Sequence, residues 1–135
     1  MAIVSNLRTL LIAEATINTL LSSTTACGTD KTDQNIAMPY LVLTQLNEDL
    51  MLTLGATTGL RNVEVDIDCV ASSRVTADNV ADAVETYIKD YSGAAGASTI
   101  RAVLLNDRAY DAIPIGQGTE NYKFVTTLNL QVQYE

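Results

Sequence analysis

Glu64, Asp66 and Asp68 place three carboxylates at every second position of one segment, a spacing that puts them on one face of a strand. Hard cations such as Ca²⁺ or Mg²⁺ take several such oxygens. Side chains two residues apart on a strand stand about 7 Å apart, too far to wrap one ion without help from loops. The trio therefore reads as a solvated or subunit-facing strand face, and no metal is expected. Asp107 and Asp111 flank Tyr110, but acids at a strand end are ordinarily solvated and nothing pairs them for acid–base work. Gly116-Gln117-Gly118 lacks the third glycine and the following helix of a phosphate loop. Ser5, Ser22, Ser23 and Thr24 have no imidazole base, because the chain contains no histidine. Lys31 is an isolated loop residue rather than a desolvated nucleophile. Cys27 and Cys69 are the only cysteines, and two scattered thiols close no tetrahedral metal site. Cys69 falls in an alternating strand pattern and reads as a small buried hydrophobe; whether it bonds to Cys27 stays open. No catalytic residue, metal ligand or cofactor-binding residue is assigned, and the chain reads as a non-enzyme.

The chain has 135 residues, with 16 Asp and Glu against 8 Lys and Arg, a formal net charge of −8. That balance argues against a dedicated nucleic-acid-binding surface, because phosphate binding needs clustered Lys and Arg. Hydrophobic residues make up 47%, enough to build a core in one domain, 1–135. The apolar N-terminus lacks a basic n-region, and Arg8 and Glu14 interrupt it, so it is not read as a signal peptide. No apolar run long enough to span a bilayer occurs, and no membrane partner is expected. The protein is expected to be soluble and made in a cytoplasm.

The elements that must position the acidic trio follow from periodicity. Ser5 to Leu21 reads as a helix with Ser5 as N-cap and Ile3, Leu7, Leu10, Leu11, Ile17 and Leu21 on one side. Glu14 falls inside that apolar sector, so a break near Glu14–Thr16 is expected, with Thr16 capping a second short helix. A polar loop at 22–37 precedes a strand running from Tyr40 to Leu46. Residues 47–60 read as a second irregular stretch that could carry a short strand at Met51–Leu54. Leu60 to Ala71 is the clearest strand, with Val63, Val65, Ile67 and Cys69 facing one way and the three acids the other. Thr76 to Tyr91 reads as a helix capped by Thr76, with Ala77, Val80, Ala81, Val84 and Ile88 as its apolar stripe. Residues 92–98 read as a flexible link. A strand from Thr99 to Arg108, a loop at 109–119 and a strand from Tyr122 to Tyr134 complete the chain, the last two strands forming a long antiparallel hairpin. The fold class is α+β: a single antiparallel β-sheet with two main helices packed on one face.

Three long loops in a small domain suit an assembly subunit. The sheet face opposite the helices carries Val70 and Val125 among its acids and amides, and Met51, Leu52 and Leu54 put apolar side chains into an irregular region.

In order and spacing, the chain resembles the tail-completion proteins of long-tailed bacteriophages, the small tail-terminator or head-to-tail joining subunits. The resemblance is carried by Leu7-Arg8-Thr9-Leu10-Leu11-Ile12-Ala13-Glu14, by Met38-Pro39-Tyr40-Leu41-Val42-Leu43 and by Val63-Glu64-Val65-Asp66-Ile67-Asp68-Cys69-Val70-Ala71. The helix from Ala77 to Val84, Leu104-Leu105-Asn106-Asp107-Arg108 and the terminal strand complete it. It implies an α+β fold and a virion subunit that assembles as a ring, generally a hexamer, at the head-proximal end of the tail. Such a ring stops tube growth and joins tail to head. Its partners are further copies of itself, the tail-tube protein and the head connector or head-completion protein, while double-stranded DNA passes without specific binding. The implied location is the virion's head–tail junction, and the host cytoplasm before assembly.

On this footing Glu64, Asp66 and Asp68, with Arg61, Arg101 and Arg108, are candidates for the subunit interface. Met51, Leu52, Leu54, Ile113 and Ile115 are candidates for loops that touch tail or head. Asp30, Asp33 and Glu48, or the strand acids, are candidates for lining the lumen, where negative charge would repel phosphates. The alternatives are another head–tail junction protein, such as a head-completion or tail-tube subunit, and an unrelated α+β binding module.

Overall fold

The computed structural model describes residues 2–21, 27–29, 38–53, 56–89, 91–95, 98–114 and 122–135, with side chains described for 3–21, 38–48, 61–89, 91–95, 98–114 and 122–135. The elements are α1 (Ala2–Ala13), α2 (Ala15–Leu20), β1 (Cys27–Thr29), β2 (Tyr40–Thr53), β3 (Ala56–Ala71), α3 (Arg74–Ile88), β4 (Gly93–Ala95), β5 (Ser98–Pro114) and β6 (Tyr122–Tyr134). They form an α+β fold around one sheet of order β1-β2-β3-β6-β5-β4. Its neighbours are antiparallel except at one edge, where β1 runs parallel to β2.

The helices cover one face. Ile3, Val4, Leu7 and Leu11 of α1 are buried, as the spacing of three and four residues requires of a single helix face. Helix α1 starts at Ala2, so Ser5 lies within the first turns and is exposed rather than capping. The expected break falls at Glu14, whose extended backbone (φ −79°, ψ 119°) places it as the N-cap residue of α2 without a side-chain cap bond. Thr16 therefore sits inside α2. The break turns Glu14 out of the apolar sector and returns Ile17 and Leu21 to the core.

Helix α3 begins at Arg74, two residues before the expected cap. Ser73 is the N-cap: its Oγ accepts from the Thr76 N–H at 3.2 Å, satisfying one of the orphan donors of the first turn. Its buried stripe is the expected one, Ala77, Val80, Ala81, Val84 and Ile88. That stripe packs on β3 and β6, against Val63, Val65, Ile67, Cys69, Leu128, Leu130 and Val132, all of them at most 1% exposed. Each of the Val, Leu and Ile side chains among them, fully withdrawn from water, contributes roughly 1.5–3 kcal/mol. No helix among the described residues is long and apolar enough to cross a membrane.

Four segments read as irregular in the sequence carry strands, the first being the expected polar loop at 22–37, where Cys27–Thr29 forms β1 by pairing its backbone with Leu41–Leu43, a ladder that needs no apolar side chains. Within the expected irregular stretch at 47–60, residues 47–53 and 56–60 are strand, because β2 runs on to Thr53 and β3 begins at Ala56, paired from Tyr40↔Val70 to Thr53↔Ala56. Beyond Arg61↔Tyr134 neither β6 nor any other described strand accompanies them, so the end of this hairpin is a two-stranded arm. The polar run at Asn47-Glu48-Asp49 hid it, since a ribbon satisfied by its own ladder needs no apolar alternation. Register shifts at Gln45/Asn47 and Leu50/Leu52 break the period further. Likewise β5 continues through 109–114, paired against Tyr122–Thr127. In the expected link at 92–98, Gly93 takes a φ of +141°, open to a residue without a Cβ, and starts the short edge strand β4.

Candidate functional site

The sheet face away from the helices carries the acidic trio. Glu64, Asp66 and Asp68 alternate with the buried residues of β3, and the register sets them beside Gln131, Asn129 and Thr127 of β6. The neighbours satisfy the carboxylates by hydrogen bonds. Thr127 Oγ1 donates to Asp68 Oδ1 at 2.7 Å, and Asn129 Nδ2 donates to Asp66 Oδ1 at 2.7 Å and to Glu64 Oε2 at 3.4 Å. Asn106 of β5 extends the row by donating to Asn129 Oδ1 at 3.1 Å. A polar chain thus crosses β5, β6 and β3 and ends on acids. Burial raises the Asp68 carboxyl above its ordinary value, and the neighbouring Asp66 charge adds to this while the Thr127 hydrogen bond opposes it. The face is consequently electronegative and ordered, with its acceptors already supplied with donors. Among the described residues no group of three His, Cys, Asp or Glu is arranged to hold a metal ion.

The arginines offered as partners for these acids are engaged elsewhere in the same chain. Arg61 lies 3.7 Å from Glu48. Arg101 pairs with Glu135 next to the open edge of the sheet. Arg108 is drawn to α3, with Nη1 at 2.8 Å from Asp82 and 3.4 Å from Glu85, and Nη2 at 3.8 Å from Asp78. Arg61 and Arg101 remain about half exposed, whereas the Arg108 side chain keeps only 19% of its surface. Arg108 is thereby a strut between β5 and α3.

Arg74, which the sequence offers with the other arginines as a partner for a neighbouring copy's acidic face, is a second strut within its own chain. Its guanidinium donates to the Val125 carbonyl at 3.2 Å, to Thr126 Oγ1 at 3.3 Å and to the Asp111 carbonyl at 2.7 Å. It also stacks over the rings of Tyr110 and Phe124, 5.4 and 5.3 Å from their centroids. Thr126, the buried polar residue of β6, donates its hydroxyl to Asp78 Oδ1 at 3.0 Å.

Glu48 accepts a short hydrogen bond from the Tyr134 hydroxyl as well as facing Arg61, so it ties β2 to β6. Burial, then the hydrogen bond and charge of Glu48, push the Tyr134 phenol up to about 12, against the opposing charge of Arg61. Of the other contact candidates, Ile113 is 45% exposed near the end of β5. Asp30, Asp33, Leu54 and Ile115 lie outside the described residues, as do the side chains of Met51 and Leu52. Val70 and Val125 are register partners on the acidic face and are 6% and 9% exposed; Tyr40, opposite Val70 on β2, is buried beside them.

Asn106, Thr127 and Asn129 are the residues around the acidic trio that sequence reasoning passed over. The alternation of the last strand sets Thr127 and Asn129 opposite its inward Leu128 and Leu130. That they stand beside the acids required the register between β3 and β6, which alternation alone does not specify.

The chain matches the profile of the family described as tail completion protein gp17 over residues 5–117. Among solved structures, a chain of the virion of a native gene transfer agent particle superposes with a TM-score of 0.57 at 14% identity, covering 93% of this chain and 90% of that one. At that identity the likeness is one of fold. No curated protein matches.

Proposed function

From the premise that the chain belongs to the tail completion protein gp17 family and is a phage tail structural protein, we propose that it is the subunit of a ring at the head-proximal end of the tail. The ring ends tube growth, joins tail to head and lets double-stranded DNA through. The observation that carries this reading is the family match across 5–117; the virion origin of a chain with the same fold supports it. The work of such a subunit is contact and exclusion rather than chemistry, which agrees with a buried core of strands carrying an acidic, hydrogen-bonded face.

The acidic face is proposed to look into the lumen. Its three carboxylates have no cation within reach among the described residues, and their polar donors fix them in place. A wall of that kind repels phosphates at short range, which keeps a passing duplex from adhering. Glu48, countered by Arg61, contributes less to that field. Arg61 and Arg101, exposed and paired only within the chain, stay candidates for contacts between copies, as Ile113 does for contact with tail or head.

Native mass measurement combined with negative-stain imaging tests the proposal. A closed ring of about six copies, binding purified tail tubes at one end, is the expected outcome. A chain that stays monomeric both alone and on tail tubes overturns it. Binding to head connectors but not to tubes favours a head-completion subunit instead.

A further inference from the structure

The sheet leaves two edges open. β4 covers only Ser98–Ile100 of β5, and among the described residues no strand lies beside Arg101–Pro114. β1 covers only Leu41–Leu43 of β2, and no described strand lies beside Thr44–Thr53. Open edges of this length invite pairing with another chain.

The β5 edge carries a particular device. The Arg108 N–H donates to Asp107 Oδ1 and the Ala112 N–H to Asp111 Oδ1, each at 2.8 Å. The two groups are four residues apart, so they leave the strand on the same side, and a donor used in the ladder to β6 would not be free for these acids. They therefore face the open edge, and each is covered by the carboxylate of the residue before it. A carboxylate cap satisfies the donor in the lone chain and repels stray strands, yet it is on a side chain that can rotate away. Leu104, Tyr110 and Ile113 of the same strand are 55%, 57% and 45% exposed, more apolar surface than a strand left permanently in water ordinarily shows.

The partner edge has the matching sense. From β2 through β3 and β6 to β5 each step is antiparallel, so β5 runs opposite to β2. A second copy in the same orientation therefore brings its β2 antiparallel to the first copy's β5. Leu46 of β2, 50% exposed, stands at that edge.

We propose that copies of this chain join edge to edge, the Arg101–Pro114 edge of β5 receiving the Thr44–Thr53 edge of β2 from the next copy as an antiparallel strand, with carbonyls of the incoming strand replacing the Asp107 and Asp111 caps. The contact uses two different edges, as head-to-tail closure requires, and it carries the sheet from one subunit into the next. The inference rests on the ring reading above and specifies its seam.

Hydrogen exchange on the intact chain tests it, comparing assembled with dissociated protein. The Arg108, Tyr110 and Ala112 amides and those of the 44–50 stretch of β2 are expected to slow by about tenfold or more on assembly. Ala112→Pro, which removes an outward N–H where an edge strand tolerates proline, is expected to keep a monomer with unchanged circular dichroism and to abolish assembly. A wild-type ring in which these amides exchange as fast as in the monomer overturns the edge seam and leaves the ring standing. Wild-type protein that never assembles overturns both. If Ala112→Pro fails to fold, the exchange comparison on the wild-type chain decides alone.

Discussion

Asp68 shows what the acidic face costs the single chain. Burial, and after it the Asp66 charge, raise its carboxyl above the ordinary 3.8 although Thr127 donates to it. The folded chain then holds a proton more tightly than the unfolded chain does. Stability accordingly falls as pH rises from the ordinary carboxylate range through the raised folded value. Asp68→Asn keeps an oxygen for Thr127 and removes the charge. It is expected to stabilise the monomer at neutral pH by at most about 1 kcal/mol, since the group retains solvent that screens it, and to flatten that pH dependence. Urea unfolding at acid and neutral pH checks this, and a destabilised variant at neutral pH would count against it. Tyr134 follows the same direction at higher pH. Its phenol, raised to about 12 by burial and Glu48, contributes stability that is whole below the ordinary tyrosine value of 10 and is lost as pH climbs through the folded one. Glu48→Gln should bring the tyrosinate absorbance step of Tyr134 back toward the ordinary range. A step that stays in place would show that burial alone sets it.

At the scale of elements, the two candidate caps of α3 give a clean contrast. Ser73 and Thr76 are both good capping types three residues apart, and only the Ser73 Oγ receives a helical N–H. Ser73→Ala is expected to cost about 1 kcal/mol in chemical denaturation. Thr76→Ala should cost less, because Thr76 Oγ1 only accepts the Ser73 hydroxyl at 2.8 Å. The reverse order would restore Thr76 as the cap that the sequence pattern suggests. The same logic explains which elements were legible. β6 spans Tyr122–Tyr134 as expected, because its period of two is unbroken and Leu128, Leu130 and Val132 all go inward. The apolar stripe of α3 and the break at Glu14 were legible for the same reason: one face must be dry. The β2–β3 arm was not, because a two-stranded ribbon is held by its ladder and leaves no hydrophobic period to read. Nor were the struts at Arg74 and Arg108 legible, since both depend on which strand lies under α3. Of the candidate site, the acids of β3 were legible as a face, and their donors on β5 and β6 were not.

At the scale of the whole molecule, the net charge of −8 takes its meaning from where the acids stand. A surplus spread over the outer wall would do no more than aid solubility. Concentrated on the face carrying Glu64, Asp66 and Asp68, and repeated around a ring, it would form a continuous negative sleeve. Wild-type rings are then expected to show no retention of duplex DNA at low salt. Rings carrying Glu64→Lys with Asp66→Lys are expected to hold DNA, with an affinity that falls steeply as salt rises, because each added lysine that meets a phosphate releases counterions on binding. Native mass measurement on the same samples confirms that the variant is still a ring, so that a change in retention reports this face and not assembly. Charge-reversed rings that still let DNA go at low salt would place these acids away from the passage. Retention that ignores salt would mean the DNA is held by something other than this face. The decisive quantity is thus the salt slope of the variant against the wild type, which counts the introduced lysines that meet phosphates, read on rings whose bound DNA is imaged in the central passage rather than on the outer wall.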